Sequence, residues 1–128
     1  MKYTCSDYQS TDLKILIHHI YEYKKGIRNL VLHTMHAREK VLAESLLGKR
    51  GISFYTQTVN SKKINIFFGK ESSVKIIQSF GNISLSNFTS EQDFILGIML
   101  GYDRSQQCNR YIKREKLINS DSNQLIAS

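Results

Sequence analysis

The strongest constraint on this chain is a pair of alternating segments joined by a short polar turn. Residues 52–59 place Ile52, Phe54, Thr56 and Thr58 on one parity and Tyr55, Gln57 and Val59 on the other. After Asn60-Ser61-Lys62, Ile64, Ile66 and Phe68 alternate with Lys63, Asn65 and Phe67. Period-two alternation rich in β-branched and aromatic residues, broken by turn-forming residues, predicts two strands in an antiparallel hairpin. A hairpin alone is marginal in water, so the rest of the chain must supply more strands or covering helices.

The flanking sequence supplies both. Leu13, Leu16, Ile17 and Ile20 recur at helical spacing after Thr11 and Asp12, and Gly26 stands where a helix would end. The apolar centre of residues 27–34 predicts a short interior strand. Thr34 is placed to cap a following helix over residues 35–47, whose buried side would carry Ala37, Val41, Leu42 and Leu46. Gly69 ends the hairpin, and Val74, Ile77 and Phe80 predict a short helix over 71–80. Ile83-Ser84-Leu85 is either a fourth short strand or an extended connector. Thr89 and Gln92 have the spacing of a capping box and open the last helix. Phe94, Ile98, Gly101, Ser105, Cys108 and Ile112 continue it as one stripe to about Lys116, with a break or bend at Gly101.

The expected fold is therefore α+β: a small three-stranded mixed sheet covered by four to five helices. It combines one β-α-β crossover, with a right-handed parallel connection, and the hairpin. With 128 residues, 41% of them hydrophobic, the chain has room for one such domain, expected at 11–116, with flexible termini at 1–10 and 117–128. Helices this long on so small a sheet leave apolar surface for a homodimer to bury.

Composition narrows the function classes. No apolar run approaches the roughly 20 residues of a bilayer span, and Met1–Thr11 lacks the apolar core of a secretion signal. Two cysteines, Cys5 and Cys108, supply neither a disulfide framework nor a thiolate zinc site. A cytoplasmic protein with reduced thiols is the expectation.

Four histidines are the first chemical candidates. His18 and His19 are adjacent on a helix and point roughly 100° apart, so they do not make the same-face pair of a metal site. His33 and His36 straddle the junction from the first strand to the second helix, where they can converge on a ligand. No cofactor motif or metal-ligand spacing accompanies them. Cys108 reads as a buried member of the last stripe, or as a thiol activated by Arg104 on the adjoining turn. Gly48-Lys49-Arg50-Gly51 follows a helix and precedes a strand, the reverse of a phosphate-binding Walker loop, and reads as a surface turn.

Eighteen Lys and Arg against eleven Asp and Glu give a net charge of +7. Lys24, Lys25 and Arg28 form one candidate docking cluster, Lys49 with Arg50 and Lys62 with Lys63 mark two turns, and Arg110 and Arg114 lie four apart on the last helix. Such a surface suits an acidic protein partner or the phosphates of a nucleic acid. No zinc finger, helix-turn-helix or RNA-recognition pattern favours the second.

The string His18-His19-Ile20-Tyr21-Glu22-Tyr23-Lys24-Lys25-Gly26, then Arg28-Asn29-Leu30-Val31-Leu32-His33-Thr34, and later Gly101-Tyr102-Asp103-Arg104 with Gln107-Cys108 and Tyr111, resembles a small bacterial family. That family carries only a domain-of-unknown-function label. The likeness covers roughly residues 12–116. It implies a mixed three-stranded sheet with about five helices, a homodimer, and members encoded near flavodoxin genes. It carries over no catalytic residues. An acidic flavodoxin as partner for this basic chain is what resemblance and charge together imply.

Three function classes stand open on these grounds. The first is a homodimeric accessory protein that binds another macromolecule. The second is a nucleic-acid-binding protein. The third is an enzyme or cofactor binder built from His33, His36, Tyr102, Asp103, Arg104 and Cys108, for which clustering in one cleft is the requirement.

Overall fold

The computed structural model describes residues 11–127, and the residue 1–10 leader, with Cys5, lies outside them. Its elements in order are α1 (Thr11–Lys24), β1 (Leu30–His36), a 3-10 turn (Ala37–Glu39), α2 (Lys40–Lys49), β2 (Ser53–Thr58), β3 (Lys63–Gly69), α3 (Glu71–Ser79), a second 3-10 turn (Leu85–Asn87), α4 (Ser90–Met99) and α5 (Arg104–Ala127). They form two compact units, one up to Asn82 and one from Ile83 onward.

The first unit holds the sheet. β2 and β3 pair antiparallel as the alternation predicts. The three strands, the crossover helix and the hairpin are all present, but their order is β1-β3-β2. β1 and β2 run in the same direction, as a crossover requires, yet they do not bond to each other. Each pairs antiparallel with β3, so the parallel neighbour pair expected from sequence is replaced by two antiparallel ones. Composition explains the insertion. Every residue of β3 after Lys63 is buried, so this strand belongs in the middle, covered on both faces.

Register then sorts the side chains. Val31, His33 and Met35 pair with Phe68, Ile66 and Ile64 and share one face. Against it pack Leu13, Leu16 and Ile20 of α1 and Ala43 and Leu47 of α2. Tyr23 meets Phe68 edge-on at 6.3 Å between ring centroids. The opposite face carries a polar row in register, Thr34, Asn65 and Gln57, with Thr34 Oγ1 donating to Asn65 Oδ1 at 2.5 Å.

Two local expectations change here. The first strand lies at 30–36 rather than 27–34, so Thr34 is a strand residue in a cross-strand bond and not a cap. His36 takes that role: its Nδ1 accepts from the Arg38 backbone N–H at 3.1 Å and starts the 3-10 turn. That turn rotates α2, so Ala43 and Leu47 face the core while Val41 and Leu42, expected inside, are exposed.

The second unit is a helical hairpin. Thr89 and Gln92 complete the expected capping box, with Gln92 N–H donating to Thr89 Oγ1 and Thr89 N–H donating to Gln92 Oε1. The break near Gly101 is complete. Gly101 adopts φ +86°, Gly101 N–H donates to Ile98 O and Tyr102 N–H donates to Gly97 O. This left-handed cap suits glycine because a Cβ would be strained there. The stripe from Phe94 to Ile112 is thus folded back on itself. Ile83-Ser84-Leu85 is the connector of the two alternatives, leading into the second 3-10 turn. α5 continues past Lys116 to Ala127, because residues 117–127 contain neither Gly nor Pro to stop it.

Candidate functional site

His33 and His36 share β1 but not a face, because residues three apart on a strand project to opposite sides. They do not converge on one ligand. His33 is buried at 7% exposure, and its Nε2–H donates to the Asp12 carbonyl at 3.0 Å. His36 offers its backbone N–H to the Asp12 carboxylate at 3.0 Å and spends its ring on the 3-10 turn. The start of α1 therefore ties down both residues through Asp12 alone.

Around His33 lies a group that sequence reading did not assemble. The His19 ring stands edge-on to it at 5.5 Å. His19 Nδ1 lies 3.2 Å from Glu22 Oε1 and 3.3 Å from Arg28 Nη1. With a proton on Nδ1 it donates to the carboxylate, and without one it accepts from the guanidinium. Glu22 and Arg28 are themselves 3.8 Å apart. Burial pushes the His33 imidazole below the usual histidine range, and neighbouring His19 adds to this against the opposing pull of the Asp12 carbonyl bond. His19 and Glu22 at helical spacing were visible in the sequence; their meeting with Arg28 and His33 was not. Among the described residues, no three His, Cys, Asp or Glu side chains gather as a metal ion would require.

The basic cluster around the end of α1 separates. Lys24 Nζ donates to the Arg50 carbonyl at 3.3 Å, Lys25 sits over the Tyr21 ring at 5.3 Å, and Arg28 turns to Glu22 and His19. At the far end of the sheet, Lys62 and Lys63 gain company instead. Ala37 N–H donates to the Lys62 carbonyl, and Val59 N–H donates to the Lys63 carbonyl. Arg38, Lys40, Lys62 and Lys63 are all exposed there.

In the second unit, Arg110 and Arg114 converge on one carboxylate. Arg110 grips Asp93 with Nε at 2.7 Å and Nη2 at 3.1 Å. Arg114 reaches the same carboxylate at 3.2 Å and donates to the Phe88 carbonyl at 3.0 Å. The Arg110 hydrogen bond, ahead of other causes, holds the Asp93 carboxyl below its ordinary range, and the pairing raises Arg110 in turn. These two arginines clamp α5 to α4, a role no spacing in the sequence could show because Asp93 is 17 residues from Arg110.

The remaining candidates have plain positions. Tyr102 is exposed in the interhelical turn. Asp103 caps α5, its carboxylate accepting from Gln106 N–H at 2.9 Å, and Arg104 is exposed at the first residue of that helix. Cys108 is exposed, not buried in the stripe. The turn at Gly101 resets the helical phase, so Gln107 faces inward, where its amide would strike a Cβ placed on Gly97.

Cys108 opens onto a shallow groove of about 480 Å³ lined by Glu91, Phe94, Ile95, Cys108, Tyr111 and Ile112. The groove is almost wholly apolar. Its polar atoms are drawn together at one edge, where Tyr111 Oη donates to Glu91 Oε1 at 3.1 Å, a bond that also raises the phenol above its usual range. Phe94 meets Tyr111 edge-on at 5.9 Å. Apart from the Cys108 thiol and the Tyr111–Glu91 pair, the groove's lining is hydrocarbon, which suits contact with another apolar surface or ligand.

Sheet, crossover and helical hairpin together define a small α+β protein whose distinctive exposed features are an apolar groove and basic turns. The family described as "Protein of unknown function (DUF2023)" matches residues 14–114, and the chain belongs to that family. Among the curated proteins no sequence matches it. Among the described residues no helix is long and apolar enough to cross a membrane.

Proposed function

We propose that this protein is a homodimeric accessory protein of the cytoplasm that acts by docking an acidic protein partner. The observation that carries the reading is the apolar face of the second unit. α5 has 24 residues against ten in α4, so it outruns the helix it packs on. Its exposed apolar residues continue beyond the overlap: Ile112 at 51% exposure is followed by exposed Leu117 and Ile118. Tyr111 and Ile118 are seven residues apart, the repeat of paired helices. A second copy offers the same surface, and a two-fold arrangement makes one patch serve both sides of the contact.

The net charge of +7 and the exposed lysines of the turns favour an acidic partner, since complementary fields speed encounter. By the resemblance of its sequence, a flavodoxin has that character. The reading treats 11–116 as one working domain, without a catalytic step.

Light scattering across a concentration series tests the dimer. The wild-type chain is expected to have twice the monomer mass, and Ile112→Glu, at an exposed position, to remain folded at monomer mass. A wild-type monomer at all concentrations would sink the dimer.

A further inference from the structure

We infer that the end of the sheet where β1 passes into α2 and β2 turns into β3 is the surface that docks the acidic partner. This rests on the proposed function and gives the partner a place. Register and hydrogen bonds fix the surface. His36 pairs with Lys63, Ala37 N–H bonds to the Lys62 carbonyl, and Val59 N–H bonds to the Lys63 carbonyl. The two lysines are thus flanked by the start of α2 on one side and the end of β2 on the other. The turn is held rigidly, with Lys62 and Lys63 N–H both donating to Asn60 Oδ1 at 2.8 and 2.9 Å.

Charge and apolar surface meet here. Arg38, Lys40, Lys62 and Lys63 are exposed, and among the described residues none of the three lysines has a carboxylate within ion-pair distance. Only Arg38 has one, Glu39 at 3.9 Å, and that carboxylate is mostly buried. Beside them stand Val41 at 76% exposure, one turn beyond Ala37, and Val59 at 50%. Aliphatic side chains left in water next to unpaired cations match a partner that brings both carboxylates and apolar atoms. The phosphates of a nucleic acid would use the cations and leave the valines unsatisfied, so a protein face of acidic and aliphatic residues is the better fit. Three other basic residues serve the fold: Arg110 and Arg114 are committed to Asp93, and Arg28 to Glu22.

The test is a fluorescence-anisotropy titration of the full chain with a labelled amphipathic peptide of about twenty residues, leucines at helical spacing among glutamates. A single-stranded DNA of equal charge is the competing probe. The peptide is expected to bind saturably, more weakly at high salt. Lys62→Glu with Lys63→Glu should weaken it by about tenfold, and Lys113→Glu with Lys116→Glu, the same change in net charge on α5, by less than about threefold. Val41→Ser with Val59→Ser should weaken binding without altering its salt dependence, and leaves every charge in place if a reversal variant does not fold. Equal losses from the two charge reversals, or no loss from the valine pair, would overturn the assignment of the surface while leaving an acidic partner standing. Tighter binding to the DNA than to the peptide would overturn the assignment in favour of nucleic acid. No binding of the peptide by the wild-type chain would overturn the acidic-partner reading itself.

Discussion

The imidazole of His33 is wedged edge-on against that of His19, 5.5 Å between centroids, with its own Nε2–H committed to the Asp12 carbonyl. A second proton on His33 would add a charge in a buried place beside another imidazole. The bond to the Asp12 carbonyl and the Asp12 carboxylate oppose that cost.

That arrangement fixes the sign of a pH effect. The folded-state value of His33 lies below its ordinary 6.5, so below pH 6.5 the unfolded chain binds the proton more readily. The stability tied to neutral His33 is fully present above 6.5 and falls away as the pH drops through the window beneath it. Urea unfolding midpoints should decline between pH 7.5 and pH 5. His33→Gln, which keeps a donor for Asp12 but does not titrate, should flatten the decline. The same slope in the variant would remove His33 as its source.

Asp93 makes a second, more acidic window informative. Its carboxyl is held below 3.8 by Arg110 first and by Arg114 after it, so the clamp is intact at neutral pH. Its contribution is present above pH 3.8 and disappears as the pH falls through the depressed value. Asp93→Asn at neutral pH should destabilise the α4–α5 hairpin by about 1–2 kcal/mol, since a bidentate pair with a third partner exceeds an isolated surface ion pair. Helix signal lost on heating would report it. Arg110→Gln should cost less, because Arg114 still reaches the same carboxylate.

Two glycines should respond in opposite directions to the same substitution. Gly69 ends β3 at φ +146°, and a Cβ there would collide with the Asn29 carbonyl just before β1 and with Leu30 Cα at its start, backbone atoms that cannot swing aside. Gly69→Ala should cost on the order of 2–3 kcal/mol. Gly48 lies inside α2 with open space around it, and Gly48→Ala should stabilise by roughly 0.5–1 kcal/mol. Denaturant midpoints of the two variants on opposite sides of the wild type are the expected result. Midpoints that move together would mean that Gly69 is not held by its neighbour.

How much of this could be read from the chain depended on the range of the interactions. Elements set by local chemistry were legible: the Thr89–Gln92 capping box, the end of α1 at Gly26, the turn at Asn60 and the break at Gly101 all depend on residues within one turn of each other. Strand order was not, because β3 enters between β1 and β2 only when its burial on both faces is weighed against theirs. Helix phase was legible for α1, where Leu13, Leu16 and Ile20 are buried as their spacing predicts. It failed for α2, where His36 adds a 3-10 turn and rotates Val41 outward, and for Cys108, where Gly101 restarts the count. The candidate sites suffered most, since Asp93 with Arg110 and His19 with His33 are partners made by the fold. Val41 joins Val59 on the exposed surface only because that 3-10 turn rotates α2, which helical spacing alone did not show.

The thiol of Cys108 gives a direct reading of the groove it lines with Phe94, Ile95, Tyr111 and Ile112. Its exposure predicts that the native monomer reacts with a disulfide reagent without denaturant. If a second copy covers this groove, reactivity becomes a function of protein concentration, because only the dissociated chain offers the thiol. In a Cys5→Ser background, where Cys108 is the sole cysteine, the labelling rate should fall by about tenfold as the concentration is raised through the range in which light scattering shows the mass doubling. Adding Ile112→Glu should restore the fast rate at every concentration. A dimer whose Cys108 labels as fast as the monomer would place the contact elsewhere, and the apolar surface of α5 would then lose its partner.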